Sequence, residues 1–118
     1  MNRTELLNFA INTAKKAGLI LMQHFGAISS VKRKSTNIDL VTKADTDSET
    51  LIINKIRNTY PDHHIISEER EIIDSTEDYC WIIDPLDGTT NYVHTLPIFS
   101  VSIALQYKKK TILGVVYN

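Results

Sequence analysis

The chain has 118 residues, of which 42% are hydrophobic, and a formal net charge of −1. This length suits one domain with a real core, and the near-neutral charge gives no argument for nucleic-acid or membrane binding. A lone cysteine, Cys80, excludes an intramolecular disulfide, and neither a signal-peptide pattern nor the roughly eighteen continuous apolar residues of a membrane span is present, so we expect a cytoplasmic protein.

The N-terminal stretch predicts one amphipathic helix. Apolar residues recur at spacings of three and four over residues 2–25, with Lys15 and Lys16 on the opposite side. Gly26 would end this helix, because glycine readily takes the left-handed conformation that follows a helix. The alternating residues 27–34 then predict a short strand.

A second helix is predicted after a polar loop and a brief extended piece over residues 39–42. Residues 46–49, with the sequence Thr-Asp-Ser-Glu, match a capping box, in which the first and last side chains bond the free amides of a helix start. The helix would end before Pro61, which disfavours helical geometry in the residue that precedes it. Asp45 would then lie next to the N-terminus of this helix.

A short predicted strand, residues 64–67, is followed by the charged residues 68–71. One interpretation is a plain charged loop, which is what such runs usually form. The other is that Glu68 leaves its strand end facing Asp84 on an adjacent strand. Glu68 precedes Asp84 by sixteen residues, which leaves room for a surface connection between the two strands.

The most informative stretch is residues 81–91, with the sequence Trp-Ile-Ile-Asp-Pro-Leu-Asp-Gly-Thr-Thr-Asn. Its apolar start predicts a buried strand that ends at Pro85, because proline cannot donate a hydrogen bond to a neighbouring strand. Asp87 is predicted as the N-cap of a short helical turn that begins with residues 88–90.

This turn suggests two kinds of binding. Asp84 and Asp87 could aim their carboxylates at one point, as the hard oxygen ligands of Mg²⁺ must. The free backbone N–H groups of Gly88 and Thr89 could hold an anion such as phosphate. A polar loop after a strand, with Asp-Gly as an ordinary turn, explains this stretch about equally well when it is taken alone.

The last part of the chain predicts a hairpin of two strands, residues 99–105 and 111–117, with its turn at 108–110. The order of elements predicts an α+β fold in which helices cover a largely antiparallel or mixed sheet. The chain ends within this apolar strand pattern, and because an uncovered strand edge invites pairing, we expect further chain to follow.

Three segments in order, residues 39–45, 67–69 and 81–91, resemble signatures of the inositol monophosphatase family, and residues 114–117 are similar to a further strand of that family. The resemblance implies a layered α/β sandwich of the sugar-phosphatase type, which fructose-1,6-bisphosphatase shares. It also implies that residues 1–118 are a single domain portion, the N-terminal half of that fold. The absent C-terminal half would carry a further metal ligand and the pocket for the leaving group.

The resemblance also assigns two or three bound Mg²⁺ ions. The metal ligands that it implies are Glu68, Asp84, Asp87 and the backbone carbonyl of Leu86. It places Lys34 near a third, weaker metal site and gives Glu69 a supporting role behind the ligands. Ser67 is a departure, because the family usually has glycine there.

The catalytic roles follow from the same resemblance. Glu68 would hold the activating Mg²⁺, and Thr89 with Asp45 would orient the attacking water. A hydroxyl alone is a poor base, so Thr89 is assigned orientation and not proton abstraction. The backbone amides of Gly88 and Thr89 would hold the phosphate.

The function implied is Mg²⁺-dependent hydrolysis of a small phosphate monoester, foremost inositol monophosphate, by an enzyme that Li⁺ inhibits and that forms a homodimer. One alternative is a related 3'(2'),5'-bisphosphate nucleotidase or fructose-bisphosphatase. Another is an inactive fragment that serves as an interaction module. The intact acidic residues count against a long-inactive copy, because clustered carboxylates destabilise a fold unless a cation binds.

Overall fold

The computed structural model describes residues 2–29, 34–67, 70–72, 78–94, 96 and 98–118. The helices of these ranges are α1 (Arg3–Ser29), α2 (Lys34–Thr59) and the short α3 (Thr89–Val93). The strands are β1 (His64–Ser67), β2 (Arg70–Ile72), β3 (Tyr79–Asp87), β4 (Ser100–Tyr107) and β5 (Lys110–Tyr117). Over the described ranges, none of the helices combines the length and the hydropathy that a membrane span requires.

The strands form one mixed sheet in the order β2-β1-β3-β4-β5, with β3 at its centre. β1 runs parallel to β3, and the other neighbouring pairs are antiparallel. Because β1 and β3 are parallel, their C-terminal ends lie at the same edge of the sheet, where Ser67 pairs with Ile83. The predicted α+β class, with helices on a mixed sheet, is confirmed.

Helices α1 and α2 pack on one face of the sheet. Their buried residues are Leu6, Ala10, Ala14, Ala17 and Leu21 of α1, and Val41, Ala44, Ile52, Ile53 and Ile56 of α2. Along β3, Trp81 and Ile83 are buried against the helices, whereas Ile82 points to the opposite face and is 36% exposed. Burial of each large apolar side chain stabilises the fold by about 1.5–3 kcal/mol. By the same alternation, Asp84 lies on the open face with Ile82.

An aromatic group closes the core at the N-terminal end of β3, and its members are Phe9, Tyr60, His63, Tyr79 and Trp81. Trp81 Nε1 donates a hydrogen bond to His63 Nδ1 at 2.9 Å, and the His63 ring stacks on Tyr60 with 4.8 Å between centroids. Because Nδ1 accepts this bond, His63 is neutral with its proton on Nε2. Burial lowers the pKa of His63, and the nearby Asp62 charge opposes that shift.

The first helix runs further than predicted. α1 continues through Gly26 to Ser29, and Lys34 begins α2, so the strand predicted for residues 27–34 is wrong at 27–29 and at 34. Residues 30–33 lie outside the described residues. A Cβ at Gly26 would have nothing within 4 Å, so nothing obstructs the helix there. Glycine costs a helix interior only about 1 kcal/mol relative to alanine, which the packing of α1 outweighs.

The second helix begins earlier than predicted. α2 starts at Lys34, so the extended piece at 39–42 and the helix start at 46–49 are both wrong. Buried residues of α2 recur at helical spacing on both sides of the predicted start: Val41, Ala44, Ser48 and Ile52. Their burial outweighs a capping box worth about 1 kcal/mol, so Asp45 lies inside the helix and not before its first turn.

The remaining strands refine the prediction for the sheet. Residues 70–72 form the edge strand β2, antiparallel to β1, where a charged loop over 68–71 was one interpretation. The predicted β4–β5 hairpin is confirmed, with its turn at Lys108 and Lys109. Their φ angles of 49° and 67° are both positive, as a type I′ hairpin turn requires.

Candidate functional site

The prediction that strand β3 ends at Pro85 is wrong, because the strand continues to Asp87. Asp84 pairs with Ser102 of β4 and Asp87 pairs with Ser100, so three residue steps of β3 oppose two steps of β4. This irregularity is a β-bulge, a position at which a sheet tolerates proline because the ladder is already interrupted. Because of the bulge, β3 continues past Pro85, and Asp84 and Asp87 both lie at the C-terminal end of this central strand.

Helix α2 holds this bulge in place through a buried serine. The Ser48 side chain is fully buried, and its Oγ donates a hydrogen bond to the Pro85 carbonyl oxygen at 2.8 Å. The bulged carbonyl would otherwise lose its ladder partner inside the protein, which costs about 1–3 kcal/mol. Ser48 therefore fixes the bulge relative to α2.

Short-range hydrogen bonds fold the turn around Leu86. The Leu86 N–H donates to Asp84 Oδ1 at 3.3 Å, and Thr89 Oγ1 donates to the Leu86 carbonyl oxygen at 3.4 Å. Leu86 itself is buried, at 3% exposure. The structure thus brings together three of the predicted site residues: Asp84, Leu86 and Thr89.

The two carboxylates of the turn repel each other. Asp84 is half-buried and Asp87 is exposed. Burial raises the pKa of Asp84, and the Asp87 charge adds to that shift, whereas the hydrogen bond from the Leu86 N–H lowers it. A cation placed between these carboxylates would relieve both the desolvation and the repulsion.

Gly88 is the N-cap of α3, so the prediction that Asp87 caps this helix is wrong. Its φ of 86° and ψ of 37° lie in the left-handed region, and no side chain caps the helix. A Cβ at this position would lie 2.8 Å from the Ile98 carbonyl oxygen and 3.2 Å from Phe99 Cα. Both the backbone conformation and the lack of space therefore require glycine here.

Asp45 lies on the side of α2 that also carries Ser48. It is half-buried, and it precedes Ser48 and Glu49 by three and four residues, so the three share one side of the helix. Glu49 reaches the end of β1, where Ser67 Oγ donates to Glu49 Oε2 at 2.7 Å. The serine that departs from the family pattern is thus used to join β1 to α2.

Other predicted site residues are only partly covered by the structure. Glu68 and Glu69 lie outside the described residues, directly after Ser67, which pairs with Ile83, the neighbour of Asp84. Lys34 is the first residue of α2. Within the described ranges, no group of three or more His, Cys, Asp or Glu side chains is placed to hold a metal ion.

Sequence reasoning missed the residues that support the turn. The capping-box pattern of residues 46–49 assigns Glu49 to a helix start and gives Ser48 no role, whereas these two residues form contacts between α2 and the ends of β1 and β3. The helical spacing of Ser48 with Val41, Ala44 and Ile52 was the signal that could have shown its burial. The role of Tyr92, whose hydroxyl bonds the Leu21 carbonyl oxygen, had no comparable signal.

The sequence has well-matched relatives. A model of the inositol monophosphatase family matches residues 2–118. The Nus factor SuhB of Pasteurella multocida is 48% identical over 116 residues, which cover 96% of this chain and 43% of that protein. Inositol monophosphatase 2 of Solanum lycopersicum is 43% identical over 119 residues, which cover 97% of this chain and 44% of that protein. The chain spans less than half the length of these relatives.

Solved structures share the fold. Inositol monophosphatase from Anabaena (Nostoc) superposes with a TM-score of 0.82 at 36% identity, over 99% of this chain and 41% of that chain. The staphylococcal SaIMPase-II with inositol monophosphate bound superposes with a TM-score of 0.76 at 32% identity, over 98% of this chain and 41% of that chain. These likenesses confirm the predicted fold type.

Proposed function

The chain belongs to the inositol monophosphatase family, and from this membership we propose that it is the N-terminal part of a Mg²⁺-dependent phosphatase. Residues 1–118 would form a single domain portion, with the second half of the fold carried by chain beyond them. The substrate proposed is a small phosphate monoester, foremost inositol monophosphate. The observation that carries the proposal is the bulged turn, which joins two carboxylates, a backbone carbonyl and a threonine hydroxyl.

The donor set of this turn suits a hard cation. Asp84, Asp87 and the Leu86 carbonyl offer oxygen atoms only, which is the chemistry that Mg²⁺ prefers. Asp84 is half-buried beside a like charge, an arrangement that a bound cation would stabilise. Bound Mg²⁺ would supply positive charge that neutralises the phosphate oxygens, lowers the pKa of a water and stabilises the leaving alkoxide.

We assign Thr89 the orientation of the attacking water. Its hydroxyl proton is directed to the Leu86 carbonyl oxygen, which leaves the Oγ1 lone pairs free to accept a hydrogen bond from a water. Asp45, which shares one side of α2 with Ser48, would hold that water from the other side. Holding the nucleophile in line with the phosphorus lowers the entropic part of the barrier.

The remaining assignments rest on the family resemblance. The backbone N–H groups of Gly88 and Thr89 would donate to the phosphate oxygens. Glu68 would complete the ligand set of the activating ion, with Glu69 behind it. Lys34 would lie near a third, weaker metal site, so that two or three Mg²⁺ ions act in all.

The first test is phosphate release from inositol 1-phosphate by the full-length protein, with and without Mg²⁺. Asp84→Asn should abolish release while the protein stays folded, because it removes a charged ligand with almost no change in shape. Asp78→Asn, the same change at the other end of β3, is the matched control and should leave release unchanged. Full release by the Asp84 variant would refute the metal role of this turn.

Related substrates belong in the same experiment. A 3'(2'),5'-bisphosphate nucleotide and fructose 1,6-bisphosphate present the same phosphate monoester with different leaving groups. Faster release from either would assign the enzyme to that related activity, and it would leave the role of the turn unchanged.

A second candidate function is an interaction with another macromolecule. One relative is named a Nus factor, and the open face of the sheet exposes apolar residues, with Ile66 at 37%, Ile82 at 36% and Val116 at 66% exposure. Exposed apolar groups of this kind are frequent where proteins bind partners. A full-length protein that folds but releases no phosphate from these substrates would favour this second function.

A further inference from the structure

We propose that Tyr92 is a positioning residue, which holds α3 against α1 and so fixes where Thr89, the first residue of α3, lies. The inference rests on the proposed function of the Asp84–Thr89 turn. It concerns a side chain that contacts neither the phosphate nor the metal of that proposal, and that acts through the residues beside it.

The hydroxyl of Tyr92 makes a long-range hydrogen bond. The side chain is fully buried, and its hydroxyl donates to the backbone carbonyl oxygen of Leu21 in α1 at 2.6 Å. Burial raises the pKa of Tyr92 far above its ordinary value, so the phenol keeps its proton and remains a donor. Helix α3 has only five residues, and this bond ties it to a helix of 27 residues.

The ring of Tyr92 packs in a cluster that we call the aromatic clamp, formed by Phe25, Tyr92 and Phe99. The Tyr92 ring lies 4.7 Å from Phe99 at 85° and 5.5 Å from Phe25 at 61°, both edge-to-face contacts. Phe25 and Phe99 also contact each other, with centroids 5.2 Å apart. The clamp therefore joins α1, α3 and the segment that leads into β4.

The aromatic clamp also reaches the glycine of the turn. Phe99 Cα lies 3.2 Å from the position of a Cβ on Gly88, so the backbone of Phe99 closes off that side of the turn. The N–H of Tyr92 donates to the Gly88 carbonyl oxygen at 3.0 Å. Asn91 Nδ2 donates to the Ile98 carbonyl oxygen at 3.1 Å and holds α3 to the same segment. Gly88 is thus held between Tyr92 and Phe99.

Tyr92 and Ser48 hold different parts of the site. Ser48 fixes the bulge at Pro85 and, with it, the carboxylate of Asp84. Tyr92 fixes the helix that carries Thr89, the residue proposed to orient the attacking water. Loss of the Tyr92 hydroxyl should therefore disturb the rate of the chemical step more than the affinity for Mg²⁺ or substrate.

Tyr92→Phe in the full-length protein tests this division. It keeps the ring in the aromatic clamp and removes only the donor to Leu21. We expect kcat to fall by about three- to tenfold, since small misplacements of reacting groups lower rates strongly. KM and the Mg²⁺ concentration for half-maximal activity should change by less than about twofold. Tyr107→Phe, at the far end of the sheet, is the matched control and should leave all three unchanged.

Amide hydrogen exchange gives a readout that does not depend on activity. In Tyr92→Phe, the exchange rate of the backbone amides should rise over residues 88–93. The rate should stay unchanged in β3 and in the part of α1 away from Leu21. If this variant fails to fold, Phe25→Leu loosens the same cluster while keeping the hydroxyl, and it should quicken exchange over the same residues.

Unchanged exchange over 88–93 together with unchanged kcat would overturn the proposal. An equal rise in exchange throughout the protein would overturn it too, because that result describes an ordinary core residue. An inactive wild-type protein would refute the proposed function alone, since exchange over 88–93 still decides whether Tyr92 holds the turn.

Discussion

The two ends of strand β3 differ in how their polar side chains are arranged. At its N-terminal end, a fully buried Trp81 donates its indole N–H to Nδ1 of a neutral His63 within the aromatic group. At its C-terminal end, two carboxylates share a bulge, and the next residue, Gly88, has a left-handed backbone. The contacts of the first end stabilise the fold. The second keeps charge repulsion and a conformation that only glycine takes easily, and both costs support the cation site proposed there.

The largest effect is expected at the N-terminal end. Trp81→Ala should lower the free energy of unfolding by about 3–5 kcal/mol, because it opens a large cavity and leaves His63 Nδ1 without its donor. Urea denaturation followed by circular dichroism measures this loss. A loss below about 1 kcal/mol would contradict the view that this end carries the stability of the strand.

The next effect is expected at Gly88. Gly88→Ala places a methyl group 2.8 Å from the Ile98 carbonyl oxygen in a left-handed conformation. The free energy of unfolding should fall by about 3 kcal/mol, the upper end for a residue forced into a rare backbone region, and phosphate release should be lost. Gly114→Ala, whose added Cβ has nothing within 4 Å, is the control and should keep both. Equal losses in the two variants would show that the turn has no special need for glycine.

A smaller effect separates the bulge from its support in α2. Ser48→Ala leaves the buried Pro85 carbonyl oxygen without its donor and should lower the free energy of unfolding by about 1–2 kcal/mol. The same variant should weaken Mg²⁺ binding, because Asp84 is then held less firmly. Thermal unfolding with and without Mg²⁺ measures both, and intact Mg²⁺ binding in this variant would show that α2 does not position Asp84.

The smallest effect is a pH dependence at the N-terminal end. Because burial lowers the pKa of His63 in the folded protein, the unfolded chain binds the extra proton first as pH falls below about 6.5. Stability should therefore be complete above that pH and decline below it, by at most about 1.4 kcal/mol per pH unit. His63→Asn should flatten this decline, whereas His94→Asn, on an exposed residue, should not. An unchanged decline in the His63 variant would assign it to other groups.

The sequence predicted the class of fold because the apolar spacing of α1 and the strand pattern of β3, β4 and β5 agree with local propensity. It failed where two local signals competed with packing. The capping box of residues 46–49 is real as a pattern, yet the buried face of α2 runs through it. Pro85 is a strand breaker, yet the bulge and the bond from Ser48 accommodate it. In both cases the deciding partner lies far away in the chain.

The sequence indicates only the local part of the candidate site. Asp84, Leu86, Asp87, Gly88 and Thr89 lie within six consecutive residues, so one motif contains them all, and the structure joins Asp84, Leu86 and Thr89 through hydrogen bonds. The supports of the turn come from remote segments. The helical spacing of Ser48 indicates that it is buried, but no residue pattern indicates its bond to the Pro85 carbonyl oxygen. Tyr92 is an example, because its partner Leu21 lies 71 positions earlier in the chain. The acceptor is a backbone carbonyl, which every residue has, so no residue type at position 21 indicates the bond.

The central claim is that the C-terminal end of β3 is a cation site, and Mg²⁺ binding to the full-length Asp84→Asn protein tests it most directly. Isothermal titration calorimetry should show binding in the wild type and in Asp78→Asn, and a large loss in Asp84→Asn. The free energy of unfolding without Mg²⁺ should stay the same or rise in Asp84→Asn, because the repulsion from Asp87 is removed. Equal Mg²⁺ binding in all three proteins, or a severe loss of stability in Asp84→Asn alone, would contradict the claim.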